Sequence, residues 1–168
     1  MNLDLDHVTP SRPRKPWGQP SPLSFDATAV RARAGVLTLI LGATIALTLA
    51  RPDLEVARWV LAALALDMIL AVLFGLFPLS PTGALGTLLT RRLPIVGTPH
   101  IPKRFAWSLG CSLALTGLAL QVWGAPTAAL VATLAVFLLL AWLDAVLGFC
   151  VGCWIYGKLF GCQACHAG

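Results

Sequence analysis

Apolar residues run through most of this chain in four long stretches, separated by short polar or turn-forming segments. The stretches cover about residues 34–50, 56–77, 105–124 and 127–149. Each approaches the roughly 20 residues that an α-helix needs to cross the hydrocarbon core of a bilayer. We therefore predict an all-α, polytopic membrane domain with four transmembrane helices, within residues 25–160.

The connections between the stretches predict how the helices pair. Arg-Pro-Asp at residues 51–53 follows the first stretch, and Gly-Ala-Pro at residues 124–126 follows the third. Tight turns of this kind make neighbouring helices antiparallel, so we predict two antiparallel helical hairpins. Between the hairpins, residues 83–93 mix leucines with two arginines, a pattern typical of a short helix lying in the membrane interface.

The composition agrees with a membrane protein and excludes a soluble domain. Hydrophobic residues make up 58% of the chain and charged residues 11%, whereas a soluble domain has about 25% charged residues. Residues 1–24 differ, because prolines there alternate with basic residues and predict a disordered basic tail. These basic residues form no recognisable nucleic-acid-binding motif, so lipid is the expected partner and nucleic acid is not.

The distribution of Lys and Arg predicts the orientation. Ten of the twelve lie before the first stretch, between the second and the third, or after the fourth. Because positively charged residues favour the cytoplasmic side of a membrane, we predict that both termini are cytoplasmic. Arg31 and Arg33, just before the first stretch, are expected to extend their charged groups outward to the interface.

Four of the five cysteines lie near the end of the chain, in two CxxC pairs. The pairs are Cys150 with Cys153, and Cys162 with Cys165, which His166 follows. Cysteine pairs in the reducing cytoplasm are more often catalytic or metal-binding than structural. One hypothesis is a thiol-redox or persulfide relay, in which Cys150 attacks a disulfide or accepts a sulfur and Cys153 resolves the product. The second pair would then pass the equivalents onward.

The expected position of Cys150 is an objection to this hypothesis. Reactive CxxC pairs usually lie at a helix N-terminus, where the dipole lowers the pKa of the thiol. If the fourth helix continues unbroken, Cys150 lies at its C-terminus, where the dipole disfavours a thiolate. An unbroken helix also aligns Asp144 with Gly148 and Gly152, on a stripe that excludes Cys150 and Cys153. The GxxxG spacing of the two glycines leaves a homo-oligomer open.

Three other interpretations of the cysteines remain. Four thiolates suit zinc or an iron–sulfur cluster, with His166 as a substitute ligand, and such a metal would staple a membrane scaffold or small transporter without catalysis. The ligand set would be Cys150, Cys153, Cys162 and Cys165. The terminal CxxCH sequence matches a c-type haem motif, but haem attachment needs the opposite face of the membrane. The thiols can also be inert.

Two carboxylates fall inside the predicted spans, Asp67 near the middle of the second and Asp144 near the cytoplasmic end of the fourth. An ionised Asp at a helix centre costs about 2.5–3.5 kcal/mol on insertion scales, so each needs a partner or a proton. One interpretation is a proton or ion relay, or a base for the thiols. The other is an interhelical hydrogen bond at Asp67. Its partners would come from the third span: Ser108, Ser112, Thr116 or Gln121.

Three motifs in this chain resemble a known family. They are FDATAVR at residues 25–31, PKRFA at 102–106 and GFCVGCWIY at 148–156. They resemble the bacterial membrane family known as domain of unknown function 4395, over about residues 25–160. The resemblance implies a four-helix inner-membrane protein of uncharacterised activity with a CxGC pair. Some relatives are linked to thioredoxin-like or rhodanese-type domains, which implies thiol or sulfur chemistry with a separate thioredoxin-like or rhodanese-like partner.

Overall fold

The computed structural model describes residues 24–51, 56–75, 79–93 and 97–160. Within these ranges the chain forms six α-helices. They are α1 (Ala27–Ala50), α2 (Val56–Phe74), α3 (Pro81–Leu89), α4 (His100–Val122), α5 (Thr127–Trp142) and α6 (Val151–Phe160). The predicted Cys-rich end, residues 161–168, and nearly all of the predicted basic tail lie outside the described residues.

Four helical segments are long and apolar enough to cross a membrane. They are Ala27–Ala50, Val56–Phe74, Ile101–Val122 and Thr127–Leu147, the last of which joins α5 to a further helical turn. The prediction of an all-α, polytopic protein with four transmembrane helices is confirmed. The arrangement as two antiparallel hairpins stays a prediction.

Helix α1 begins at Ala27, well before the apolar stretch that starts near residue 34. Asp26 caps it, because its carboxylate accepts hydrogen bonds from the backbone N–H and the hydroxyl of Thr28 at 3.1 and 2.6 Å. The earlier start makes Arg31 and Arg33 part of the helix. Arg31 is exposed, but Arg33 is only 1% exposed. The expectation that Arg33 extends outward is therefore wrong, because an acidic partner inside the bundle holds it.

The apolar core lies where α1, α2, α4 and α5 meet. Its buried side chains include Leu41, Leu61, Met68, Ala114, Leu134 and Phe137. The helices approach closely at Gly117, where an added Cβ would lie 3.1 Å from a methyl group of Leu61. Large apolar side chains also cover the outward faces, as expected for helices surrounded by lipid. Examples are Leu39, Leu66, Leu115 and Leu139.

Helix α3 lies across α1, in the segment where the sequence predicts a short interfacial helix. The hydroxyl of Ser80 caps α3 by accepting a hydrogen bond from the N–H of Gly83 at 3.1 Å. A Cβ added to Gly86 would lie 2.7 Å from the carbonyl oxygen of Ala29 and 2.9 Å from the backbone nitrogen of Arg33. Glycine is therefore needed at Gly86 for α3 to lie against the backbone of α1.

A two-stranded antiparallel ribbon that the sequence did not predict joins the starts of α1 and α4. Strand β1 (Ser24–Asp26) pairs with β2 (Gly97–Pro99), with Phe25 opposite Thr98. The ribbon brings the ring of Phe25 to 5.0 Å from that of Trp107, measured between ring centroids. The chain segments before the first and third spans are thereby tied together.

The chain does not run as one helix from α5 into α6. Residues Leu143–Leu147 form a π-helical turn, and Gly148 then adopts a left-handed conformation with φ of 66°. The N–H of Phe149 donates to the carbonyl of Leu143 at 3.1 Å, which closes the turn. A left-handed glycine is a common helix terminator. The condition of an unbroken fourth helix is therefore not met, Cys150 does not lie at the C-terminus of that helix, and Gly148 does not share a helical stripe with Gly152.

Candidate functional site

The break at Gly148 places Cys150 at the N-terminus of α6. The carbonyl of Cys150 accepts a hydrogen bond from the N–H of Trp154 at 2.9 Å, the first bond of that helix. Its Sγ accepts a hydrogen bond from the N–H of Cys153 at 3.4 Å, as an N-cap side chain does. The helix dipole at this end favours a thiolate. The objection based on a C-terminal position of Cys150 is therefore removed.

The two thiols differ in acidity. The pKa of Cys150 is lowered to about 7, first by a hydrogen bond from the side chain of Cys153 and further by the charge of Lys103, against opposing effects of burial and of Asp144. The pKa of Cys153 is raised by its hydrogen bond to Cys150, by burial and by the negative charge of Cys150. Both cysteines are free. The pair thus combines one readily ionised thiol with one that keeps its proton.

Asp144 is paired with a lysine from another helix. The Nζ of Lys103, in the first turn of α4, donates a hydrogen bond to Oδ1 of Asp144 at 2.8 Å. The two side chains are 9% and 17% exposed. This ion pair connects α4 with the π-helical turn, immediately before the loop that carries Cys150.

A close contact between α4 and α6 brings the thiols to this ion pair. A Cβ added to Gly152 would lie 2.6 Å from both Cα and Cβ of Ala106. Ala106 follows Lys103 by one helical turn and therefore shares its face of α4. Gly152 lies between Cys150 and Cys153 in the chain, so its contact with Ala106 brings the turn that carries both cysteines to the face of α4 that carries Lys103.

Asp67 belongs to a separate cluster. Its carboxylate accepts hydrogen bonds from Nη2 of Arg33 at 2.8 Å, from the hydroxyl of Ser80 at 2.8 Å, and from the N–H and hydroxyl of Thr82 at 3.0 and 2.5 Å. The expected partners on the third span are therefore wrong. The hydroxyls of Ser108 and Ser112 instead donate to carbonyls of their own helix.

Arg33 completes the Asp67 cluster. Its Nε donates to the hydroxyl of Thr82 at 2.9 Å, and its guanidinium lies 4.9 Å from the ring centroid of Trp107. Its Nη1 is buried and has no hydrogen-bond partner among the described residues. The cluster joins α1, α2, α3 and α4 through polar groups that lipid could not satisfy.

The structure brings some of the predicted site residues together and separates others. Cys150, Cys153 and Asp144 share one region, with Asp67 in the other cluster. Cys162, Cys165 and His166 lie outside the described residues. Across the described ranges, no group of three His, Cys, Asp or Glu side chains could hold a metal ion. The four-thiolate site therefore stays a prediction.

Lys103 and Arg33 are site residues that the sequence analysis treated as flanking charges. Lys103 lies in the PKRFA motif at residues 102–106, and Arg33 lies at the start of the first apolar stretch. The available signal was that Arg33 and Lys103 stand at the starts of the first and third apolar stretches, while the second and fourth stretches each contain a carboxylate inside the predicted span. Sequence alone does not say which cation pairs with which anion.

Comparison with known proteins identifies the chain at the family level. The family model described as Domain of unknown function (DUF4395) matches residues 25–160. No curated protein and no solved structure matches the chain. The match confirms the family resemblance of the three motifs and includes Lys103, Asp144, Cys150 and Cys153.

Proposed function

We propose that this chain, which belongs to the family described as Domain of unknown function (DUF4395), uses Cys150 to attack sulfur–sulfur bonds in a thiol-exchange reaction at the membrane. The observation that carries the proposal is the place of Cys150 at the N-terminus of α6, with a pKa of about 7 and Cys153 one turn away. A thiol whose pKa is near the ambient pH is both substantially ionised and strongly nucleophilic.

The reaction proceeds in two steps. The Cys150 thiolate attacks one sulfur of a substrate disulfide, forms a mixed disulfide and releases the other sulfur as a thiolate. Cys153 then passes its proton to the released thiolate and attacks Sγ of Cys150, which expels the second substrate sulfur as a thiolate. The substrate disulfide gains two electrons, and the two protein thiols lose them as the Cys150–Cys153 disulfide forms.

The structure suggests why the second thiol becomes reactive only after the first step. The pKa of Cys153 is raised by its hydrogen bond to Cys150 and by the charge of that thiolate. In the mixed disulfide, Cys150 carries no negative charge. Cys153 therefore loses its proton more easily once a substrate is attached, which favours resolution over reaction of Cys153 with solvent oxidants.

The oxidised pair needs a dithiol to restore it. We assign this role to a thioredoxin-like protein at the cytoplasmic face of the bacterial inner membrane, following the predicted charge distribution. A rhodanese-like partner that carries a persulfide would transfer its outer sulfur through the same attack. The Cys150 thiolate would bond to that sulfur and become a persulfide, and the S–S bond of the partner would break to release the partner's cysteine as a thiolate. The predicted second pair, Cys162 and Cys165, would relay equivalents between Cys153 and such a partner.

Trapping of the intermediate tests the proposal. The protein is purified anaerobically in detergent, treated with oxidised glutathione or with polysulfide, and analysed by intact-protein mass spectrometry. The unmodified sequence should form the Cys150–Cys153 disulfide, Cys153→Ser should stop at a mixed disulfide on Cys150, and Cys150→Ser should form neither. Cys111→Ser is the matched control, because that thiol lies in α4 beside the apolar core.

Two results would contradict the proposal. One is the absence of any adduct on Cys150 in the Cys153→Ser protein. The other is a zinc or iron–sulfur mass in the untreated protein that is lost in both Cys150→Ser and Cys162→Ser. That result would make the cysteines a metal staple of a membrane scaffold.

A further inference from the structure

We propose that Lys103 is the fixed counter-cation of the Cys150 thiolate, and that Asp144 is the positioning residue that holds Lys103 in place beside the thiols. The inference rests on the proposed thiol exchange and adds two residues outside the CxxC pair to it. Neither residue is assigned to the site by its spacing in the sequence, since Lys103 and Asp144 are 41 positions apart.

The geometry of α4 makes Lys103 available to the thiols. Its ammonium is buried, and Asp144 is its hydrogen-bond acceptor among the residues that the structure describes. An ammonium has three N–H donors, so donors remain for an anion brought into the site. The contact of Gly152 with Ala106 holds the first turn of α6 against the same face of α4.

Asp144 keeps the lysine in place because the backbone at Asp144 is itself constrained. The residue lies in the π-helical turn, which ends at Gly148 in a left-handed conformation. On the other side of this turn, the guanidinium of Arg31 lies against Gly148. The turn is thus held between α1 and α4, and its carboxylate faces the amine of Lys103 at 2.8 Å.

The charged and titratable groups around Cys150 come from four elements. They are Arg31 of α1, Lys103 of α4, Asp144 of the π-helical turn and Cys153 of α6. Helix α5 carries no charged residue. Lys158 also lies on α6. Its Nζ lies over the ring of Trp154, 5.9 Å from the ring centroid.

Lys103 and Asp144 act on Cys150 with opposite signs. Lys103 lowers the pKa of Cys150 and has the larger effect, whereas Asp144 raises it. Removing both charges together should therefore leave the thiolate less stable than in the unmodified protein. A neighbouring opposite charge shifts a pKa by about 1–3 units, and the loss of Asp144 offsets part of the loss of Lys103. The midpoint of Cys150 ionisation should therefore rise by about one pH unit.

The experiment measures alkylation of Cys150 by iodoacetamide as a function of pH, quantified on the Cys150 peptide by mass spectrometry. The double variant Lys103→Met with Asp144→Asn is the main test, because it leaves no unpaired charge buried. Its midpoint should rise by about one unit, which makes alkylation below the midpoint about tenfold slower. Lys103→Arg should keep the midpoint near that of the unmodified protein. Asp144→Asn alone removes the negative charge but keeps a hydrogen-bond acceptor for Lys103, so it should lower the midpoint or leave it unchanged. Asp144→Ala also removes that acceptor and frees Lys103, so its midpoint should lie above that of Asp144→Asn; equal midpoints would contradict the positioning role.

Lys158→Met is the matched control, since it removes a lysine of α6 that lies over Trp154. Thermal unfolding of every variant separates a change in acidity from a change in folding. A double variant with an unshifted midpoint and intact folding would overturn the inference, as would a Lys158→Met variant with the same rise. A different outcome would contradict the proposed function alone. In that outcome the unmodified protein shows no disulfide exchange, while the midpoint of Cys150 alkylation still depends on Lys103.

Discussion

Two ion pairs between helical segments of the described residues have the same length and different surroundings. Arg33 with Asp67 and Lys103 with Asp144 both measure 2.8 Å between nitrogen and oxygen. The Asp67 carboxylate accepts four hydrogen bonds, whereas Asp144 accepts one within the described ranges. The comparison teaches that the number of hydrogen bonds to the carboxylate distinguishes the two pairs. A carboxylate that accepts from α1 and from the start of α3 joins those helices, whereas a lysine with one acceptor beside thiols can act on their chemistry.

Each of the two ion pairs lies beside a glycine at which two helices approach closely. Gly86 lets α3 lie against α1 beside Arg33, and Gly152 lets α6 lie against α4 beside Lys103. Each close approach positions a short helix whose first turn supplies polar groups. In α3 the N-terminus faces Asp67, and in α6 it carries Cys150.

The largest expected effect is the loss of the Arg33–Asp67 pair. Asp67→Ala leaves the Arg33 guanidinium buried without its counter-ion, so the free energy of unfolding should fall by about 3–5 kcal/mol. Unfolding in mixed detergent and SDS micelles measures the change. Asp144→Ala should cost less, because its partner is less buried. Equal losses for the two variants would remove the distinction between the pairs.

The pH dependence of thiol reactivity is the next effect. A thiol with a pKa of about 7 is about half ionised at pH 7, whereas an ordinary thiol with a pKa of about 8.5 is only a few per cent ionised. The thiolate fraction of Cys150 should therefore fall as the pH drops through 7. Because the pKa of Cys153 is raised above that of an ordinary thiol, alkylation at this pH should be more than about tenfold faster at Cys150 than at Cys153, with the protein reduced. Equal rates at the two cysteines would contradict the asymmetry of the pair.

Substitution of Gly86 and of Gly152 should have different effects on stability and on the ionisation midpoint of Cys150. Gly86→Ala puts a methyl group on backbone atoms of α1, so it should destabilise the protein by about 1–3 kcal/mol and leave the Cys150 midpoint unchanged. Gly152→Ala should push α6 away from Ala106 and raise that midpoint, because Lys103 then lies farther from the thiol. A shifted midpoint in Gly86→Ala would show that the two regions are coupled.

The smallest expected effect comes from a glycine with free space around it. A Cβ added to Gly42 of α1 meets nothing within 4 Å. Gly42→Ala should therefore stabilise the protein by up to about 1 kcal/mol, since alanine loses less backbone entropy in a helix. A clear loss of stability would mean that this surface is covered by another molecule, such as a second copy of the chain.

Much of the fold could be predicted from the sequence, and less of the site. The four spans depend on the length and polarity of each apolar stretch alone. The start of α1 was placed too late because Arg33 was interpreted as an interfacial charge rather than as the partner of Asp67. The helix break was not predicted, because glycine fits both a continuous helix and a left-handed turn.

The sequence by itself determined the class of this protein, its four membrane-crossing segments, its family and the CxxC pair at the end of the last span. Only the tertiary structure decided which charges pair. Arg33 and Asp67 are 34 positions apart in the chain, so they meet only because of the way α1 packs near α2. It also decided that Cys150 begins a helix rather than ends one. That outcome depends on Gly148 turning left-handed against Arg31 and on Gly152 meeting Ala106, contacts between helices that no local pattern encodes.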